Sequence, residues 1–190
     1  MTRKIDKIFL FIVIALTLGG FFIFTSAAMS LLSRQGASFG SVAFSQIAFG
    51  IVGGGLAAYI MSKIHYMHLK KYALYFFIFS IFLTLLVFVP HIGWAHGGAH
   101  RWISIFGQSF QPGEVLKIAT LVYMATVFSN LKNKIGTFKY GLLSFLAISA
   151  IVGAVFMIQP DNESFGITFV AGLTMFFAAG GKMYKCHQLL

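Results

Sequence analysis

The chain alternates long apolar runs with short polar breaks. A membrane helix needs roughly 20 mostly apolar residues. Six runs come near that length: Ile8–Met29, Gly40–Met61, Tyr72–Val89, Val115–Leu131, Tyr140–Ile158 and Phe165–Gly181. The pattern predicts an all-α polytopic membrane protein of six transmembrane helices, with residues 1–190 forming a single membrane domain. Composition supports this reading. The chain is 58% hydrophobic and 9% charged, with 23 phenylalanines, and its mean hydropathy is +0.87. A soluble domain carries about 25% charged residues. Here there are too few charges to cover a surface facing water.

Charge then orients the spans. With the N-terminus cytoplasmic, the inner segments hold Arg3, Lys4, Lys7, Lys63, Lys70, Lys71, Lys132, Lys134, Lys139, Lys182 and Lys185, 11 of the 14 Lys and Arg. Arg34 and Arg101 fall outside, and Lys117 lies within the fourth span. The positive-inside rule therefore places both termini in the cytoplasm and His91–Phe110 and Gln159–Ser164 on the outer face. The same distribution argues against nucleic-acid binding. The net charge of +10 is scattered in short clusters between apolar runs rather than gathered on one face.

Several features have plain structural readings. Thr2–Lys7 and Ser26-Ala27-Ala28 resemble parts of a secretory signal, but the apolar run is longer than a signal core, so an uncleaved first span is expected. Gly19-Gly20 and Gly53-Gly54-Gly55 are expected to let helices approach closely. Phe-rich runs such as Phe21-Phe22 and Phe76-Phe77 supply lipid-facing or core bulk. The lone Cys186 excludes an internal disulfide framework. No repeat at a fixed period is visible, nor the inverted repeat that marks many transporters.

His91–Lys117 is the long polar interruption, and candidate chemistry concentrates there. Pro112 suits the first position of a helix, where its missing N–H would be unpaired anyway. Glu114 then falls in the first turn, near the positive end of the helix dipole. Lys117 follows three residues later, on the same helical face at about 5–6 Å between Cβ atoms. An ion pair is a reasonable way to keep both charges near hydrocarbon, and such a pair marks a functional site by default. Arg101 and Trp102 can anchor the outer segment at the interface. Alternatively Arg101 and Lys117 bind the phosphates of a lipid headgroup. The residues alone leave both readings open.

His91, His96 and His100 lack an accompanying carboxylate or Cys in this segment, and Gly97-Gly98 interrupts any helix between the last two, so no metal site is expected. In the second outer turn, Gln159–Ser164, Asp161 or Ser164 is a natural cap for the sixth span. Asp161 with Glu163 also has the makings of an acid–base pair, but capping is the favoured role.

Gly98-Ala99-His100-Arg101-Trp102-Ile103, Gly107, Phe110-Gln111-Pro112-Gly113-Glu114 and Lys117 resemble the signature of the SEDS family, which comprises the FtsW, RodA and SpoVE proteins of bacterial division, elongation and sporulation. Gln159-Pro160-Asp161 resembles a second family motif downstream. The likeness covers essentially the whole chain and six of the family's usual ten spans, with the arrangement nearest the division branch, FtsW. It implies a peptidoglycan glycosyltransferase in the bacterial cytoplasmic membrane that polymerises lipid II at the outer face, working with a class B penicillin-binding protein and other division or elongation membrane proteins. It implies substrate contacts from Arg101, Trp102, Gln111, Glu114 and Lys117, and structural roles for Pro112, Pro160 and Asp161. No cofactor is expected beyond a divalent cation that can travel with the lipid diphosphate.

The departures are specific. The family usually has Ser at the position of Gly113, and Leu-Gly-Thr after Gln-Pro-Asp, where this chain has Asn162-Glu163-Ser164. The family's proposed catalytic Asp lies in a large outer loop further along, so no residue here inherits a catalytic role. The alternatives are a non-catalytic membrane protein that binds lipid II or a division partner, and a lipid flippase.

Overall fold

The computed structural model describes residues 6–35, 46–89, 93–96, 99–105 and 108–181. Gly40 at the expected start of the second span, His91 and Cys186 lie outside the described residues, as do Arg3, Lys4, Lys182 and Lys185. The chain divides into two compact units, Met1–Ile64 and His65–Leu190.

The first unit begins with α1, Lys7–Gln35. Asp6 caps it, its carboxylate accepting from the backbone N–H groups of Ile8 and Phe9 at 3.0 and 3.1 Å. Ile8, Phe9, Phe11, Leu16, Phe22 and Ile23 are all exposed. A helix apolar on every side is suited to lipid rather than water. A π-helical stretch, Gln46–Gly53, leads into α2, Gly54–Lys63. A Cβ placed on Gly19, Gly20, Gly54 or Gly55 would meet nothing within 4 Å. Among the described residues of the first unit, no helix approaches closely at these glycines.

The second unit contains α3 (Tyr66–Leu85), α4 (Pro112–Leu131), α5 (Leu143–Ile158) and α6 (Asn162–Ala178). α3 packs along α4, and α4 and α5 both pack against α6. The core is aromatic: Phe77 stacks on Tyr123 at 4.9 Å between ring centroids, Phe145 on Phe176 at 5.7 Å, and Phe128 meets Phe176 edge-on at 5.8 Å. Lipid tails are as apolar as these rings, so packing rather than water exclusion holds such helices together. The tight approach is at Gly172, where a Cβ would stand 2.6 Å from the Met124 sulfur. Thr84, Thr120 and Thr168 donate their hydroxyls to the preceding turn, on Ser80, Leu116 and Ser164, whereas the buried Ser149 hydroxyl of α5 has no hydrogen-bond partner among the described residues. A medium without water favours the internal pairing of the three threonines.

Among the described residues four helices are long and apolar enough to cross a membrane: Lys7–Ser26, Tyr66–Phe88, Pro112–Leu131 and Phe138–Ile158. They match the first, third, fourth and fifth expected spans. α3 starts six residues before the expected Tyr72, because the polar turn around His68 and Lys70 is helical too. α2 with its π-helical lead, and the 17-residue α6, lie in the second and sixth apolar runs.

The described residues are mainly helical, as expected, with one addition in the polar segment between α3 and α4. That segment forms a three-stranded antiparallel sheet in the order β1 (Gly93–His96), β2 (Ala99–Ile105), β3 (Gln108–Phe110). Trp94 pairs with Trp102 and His96 with Ala99 across the first ladder, and Ser104 with Ser109 across the second. The short β-branched and aromatic stretch Trp102-Ile103-Ser104-Ile105 has strand character. Pairing is also a compact way to satisfy the backbone of a polar segment beside a membrane.

Candidate functional site

Three polar segments converge where α4 and α6 begin and α3 and α5 end. Gln111 is the N-cap residue of α4, Pro112 opens the helix, and Glu114 lies in its first turn, as the sequence predicted. Asp161 is the N-cap residue of α6, its side chain accepting from the backbone N–H of Ser164 at 3.3 Å. Gln111 Nε2 donates to Asp161 Oδ2 at 3.1 Å. The two polar motifs, 50 residues apart in the chain, are thus joined at one buried carboxylate.

Arg101 reaches the same turn from β2. Its Nε donates to the Gln159 carbonyl at 3.3 Å, its Nη2 to the Pro160 carbonyl, and its Nη1 lies 3.7 Å from Asp161 Oδ1. The last carbonyls of a helix lack intrahelical donors, and they form the negative end of its dipole. Gln159 is the C-cap residue of α5, so the guanidinium closes α5 while its Asp161 partner opens α6. This is a third role for Arg101, beside interface anchoring and phosphate binding. Trp102, next along β2, is 36% exposed.

Gln159 was not singled out from the sequence on its own. It is buried, and its Nε2 donates to the Thr84 carbonyl at 2.9 Å. That carbonyl lies in the last turn of α3, so the bond ties the end of α5 to the end of α3. Its signal in the sequence was membership of Gln159-Pro160-Asp161, a polar triplet directly after an apolar run.

Glu114 and Lys117 form the expected i,i+3 ion pair, with Lys117 Nζ 2.8 Å from Glu114 Oε1. Its burial is unequal: the Lys117 side chain is 19% exposed and that of Glu114 is 56% exposed. Lys117 lies six residues beyond Gln111, roughly 9 Å along the helix axis. The structure therefore pairs Arg101 with Asp161 and Lys117 with Glu114. Asp161 is committed to three partners, which fits the capping role rather than the acid–base role weighed with Glu163. Glu163 is exposed in the first turn of α6.

Gly113 is buried, and a Cβ there would stand 3.2 Å from Phe156 Cε1. The Phe156 ring, itself fully buried, occupies the space next to the position where the family usually carries Ser. His96 and His100 sit on paired strands rather than on one helical turn. Among the described residues no three metal-ligating side chains converge.

The fold and the site define a helical membrane protein with a polar, charge-paired cluster at one end of the helices of its second unit. The chain belongs to the FtsW/RodA/SpoVE cell cycle protein family, whose model matches residues 6–190. It is 31% identical over 180 residues to the probable peptidoglycan glycosyltransferase FtsW of Geobacter sulfurreducens, covering 95% of this chain and 48% of that one. It is 36% identical over 134 residues to the protein of the same name in Geobacter sp. (strain M18), covering 70% and 35%. The chain thus spans about half the length of such relatives, or less. A solved chain, from work on the structural coordination of polymerization and crosslinking by a peptidoglycan synthase complex, matches with a TM-score of 0.70 at 24% identity, over 94% of this chain and 48% of its own. At that identity the likeness is one of fold.

Proposed function

We propose that this chain is the N-terminal, substrate-positioning part of a peptidoglycan glycosyltransferase of cell division that polymerises lipid II. One observation carries the reading: the two polar motifs meet at Asp161, in a chain whose relatives are named probable peptidoglycan glycosyltransferases. In this proposal the chain crosses the bacterial inner membrane six times. Both termini are cytoplasmic, and the sheet and the Asp161 cluster face outward. The distribution of lysines supports that orientation.

The substrate is an anionic diphosphate lipid. Lys117 and Arg101 supply positive charge at the outer end, and Glu114 and Asp161 hold those cations in place before the substrate arrives. Charge fixed in advance needs no reorganisation when the diphosphate's negative charge grows during transfer. Gln111 and Trp102 flank the same site, and a divalent cation can accompany the diphosphate. The base that activates the sugar hydroxyl is expected from the remaining half of the relatives' length. A class B penicillin-binding protein and other division membrane proteins are the proposed partners. The fold shared with a chain of a peptidoglycan synthase complex supports this.

The test is polymerisation of lipid II in vesicles. The chain is joined to a segment covering the remaining half of a relative, and glycan strands are resolved on gels. Strand formation that is lost on Asp161→Ala supports the reading, and no strand formation from the joined protein overturns it.

A further inference from the structure

We infer that the opposite end of the second unit holds an anionic phospholipid, with its phosphate between Lys70 and Lys132. Two cavities adjoin there. One of about 500 Å³ is lined by Ala125, Phe128, Ser129, Lys132, Met175 and Ala178 among others. The other, of about 370 Å³, is lined by Met67, Lys70, Val122, Ala125, Thr126 and Ser129 among others. They share Ala125 and Ser129, so one molecule can occupy both. Their walls are mainly apolar, with lysine at the rim of each. That division matches an acylated glycerol body with a phosphate head, and a free anion would have no use for the apolar walls.

The charge balance indicates what completes the site. Lys70 Nζ donates to the neutral hydroxyl of Ser129 at 3.1 Å. The Lys132 ammonium has no hydrogen bond, ion pair or ring contact among the described residues. The neighbouring cations rest on rings, Lys71 over Tyr72, and Lys134 and Lys139 over Tyr140. No acid answers them. The chain has four Asp and Glu in all. Asp6 caps α1, while Glu114, Asp161 and Glu163 lie at the far end, where α4 and α6 begin. α4 is 20 residues long, which separates the two ends by roughly 30 Å, several Debye lengths at physiological salt. Among the described residues of the second unit no acid lies beside Lys70 and Lys132, and the anionic lipid of the adjoining leaflet is a countercharge within reach.

The test uses native mass spectrometry of the full chain released from mixed micelles of phosphatidylglycerol and phosphatidylcholine. Wild type is expected to retain phosphatidylglycerol preferentially. Lys70→Ala and Lys132→Ala should each weaken retention about fivefold, Lys132→Arg should preserve it, and the charge-matched pair Lys134→Ala/Lys139→Ala should change it less than about twofold. Equal loss in that control pair would mean diffuse surface attraction and would overturn the site. So would absence of preference for phosphatidylglycerol, or displacement of the lipid by soluble glycerol phosphate, which would mark a site for free anions. Unfolding temperature is followed in parallel. Should Lys70→Ala impair folding, Lys132→Gln alone decides, since Lys132 is exposed. This inference is independent of the glycosyltransferase reading, and either can fail without the other.

Discussion

Gln111 and Asp161 are the N-cap residues of two different helices, and they are hydrogen-bonded to each other at 3.1 Å. The bond ties the start of α4 to the start of α6. Through Arg101 it also ties both to the sheet and to the end of α5. This end of the second unit is therefore one connected polar assembly centred on a buried carboxylate.

Removing that carboxylate should loosen the whole end. Asp161→Ala deletes a helix cap and leaves Arg101 and Gln111 without their partner, at an expected cost of about 2–4 kcal/mol. Asp161→Asn keeps one acceptor for the Ser164 N–H and should cost about half as much. Thermal unfolding in detergent measures both. If Asp161→Ala melted like wild type, the centre of the assembly would lie elsewhere.

The Glu114–Lys117 pair predicts an asymmetry. Glu114→Gln strands a mostly covered ammonium and should cost about 1–2 kcal/mol. Lys117→Met leaves an exposed carboxylate and should cost less than about 1 kcal/mol. Melting curves of the two variants should therefore rank in that order, and the reverse order would contradict the burial seen here.

Ligand binding should separate from stability. Lys117→Ala and Arg101→Ala are each expected to weaken binding of a diphosphate lipid by about tenfold, the loss of one charge-assisted contact, whereas His96→Ala should do little. Titration with a fluorescent undecaprenyl diphosphate analogue reads this directly. Equal retention by all four proteins would leave Arg101 with its capping role alone.

Gly113→Ser, a change toward the family's usual residue, should destabilise this chain. The added atoms meet the edge of the Phe156 ring, at a cost of about 1 kcal/mol. Phe156→Leu opens space and should offset part of that cost, so the double variant should be more stable than the two separate losses imply. A double-mutant cycle on unfolding temperature checks the coupling.

Gln159→Leu should cost about 1–3 kcal/mol, because it removes the buried side-chain donor that joins the Thr84 carbonyl to the end of α5. Thermal unfolding in detergent reports the loss. An unchanged melting temperature would show that the carbonyl has another donor.

What proved legible in the sequence was local. The apolar runs of α1, α3, α4 and α5 gave their spans, because a bilayer imposes a minimum length on any crossing helix. Pro112 at the helix start, Asp161 as a cap and the Glu114–Lys117 pair could be read because each depends on neighbours within four residues, whose geometry the helix itself dictates. The polar segment at residues 93–110 was harder. Its glycines argued against a helix, but strand pairing joins residues such as Gly93 and Ile103 through a register that composition does not reveal.

The sequence by itself determined the membrane class, the positions of the main helices and the capping residues at their ends. The tertiary structure alone decided that Asp161 receives Gln111, that Arg101 closes α5, and that Gln159 serves α3. Those contacts join residues 50, 58 and 75 positions apart. The physical reason is that a helix fixes its own side-chain neighbours by its pitch, whereas the meeting of two helix ends depends on how whole helices pack. That packing is set by the summed contacts of rings such as Phe145, Phe156 and Phe176, and no short stretch of sequence contains it.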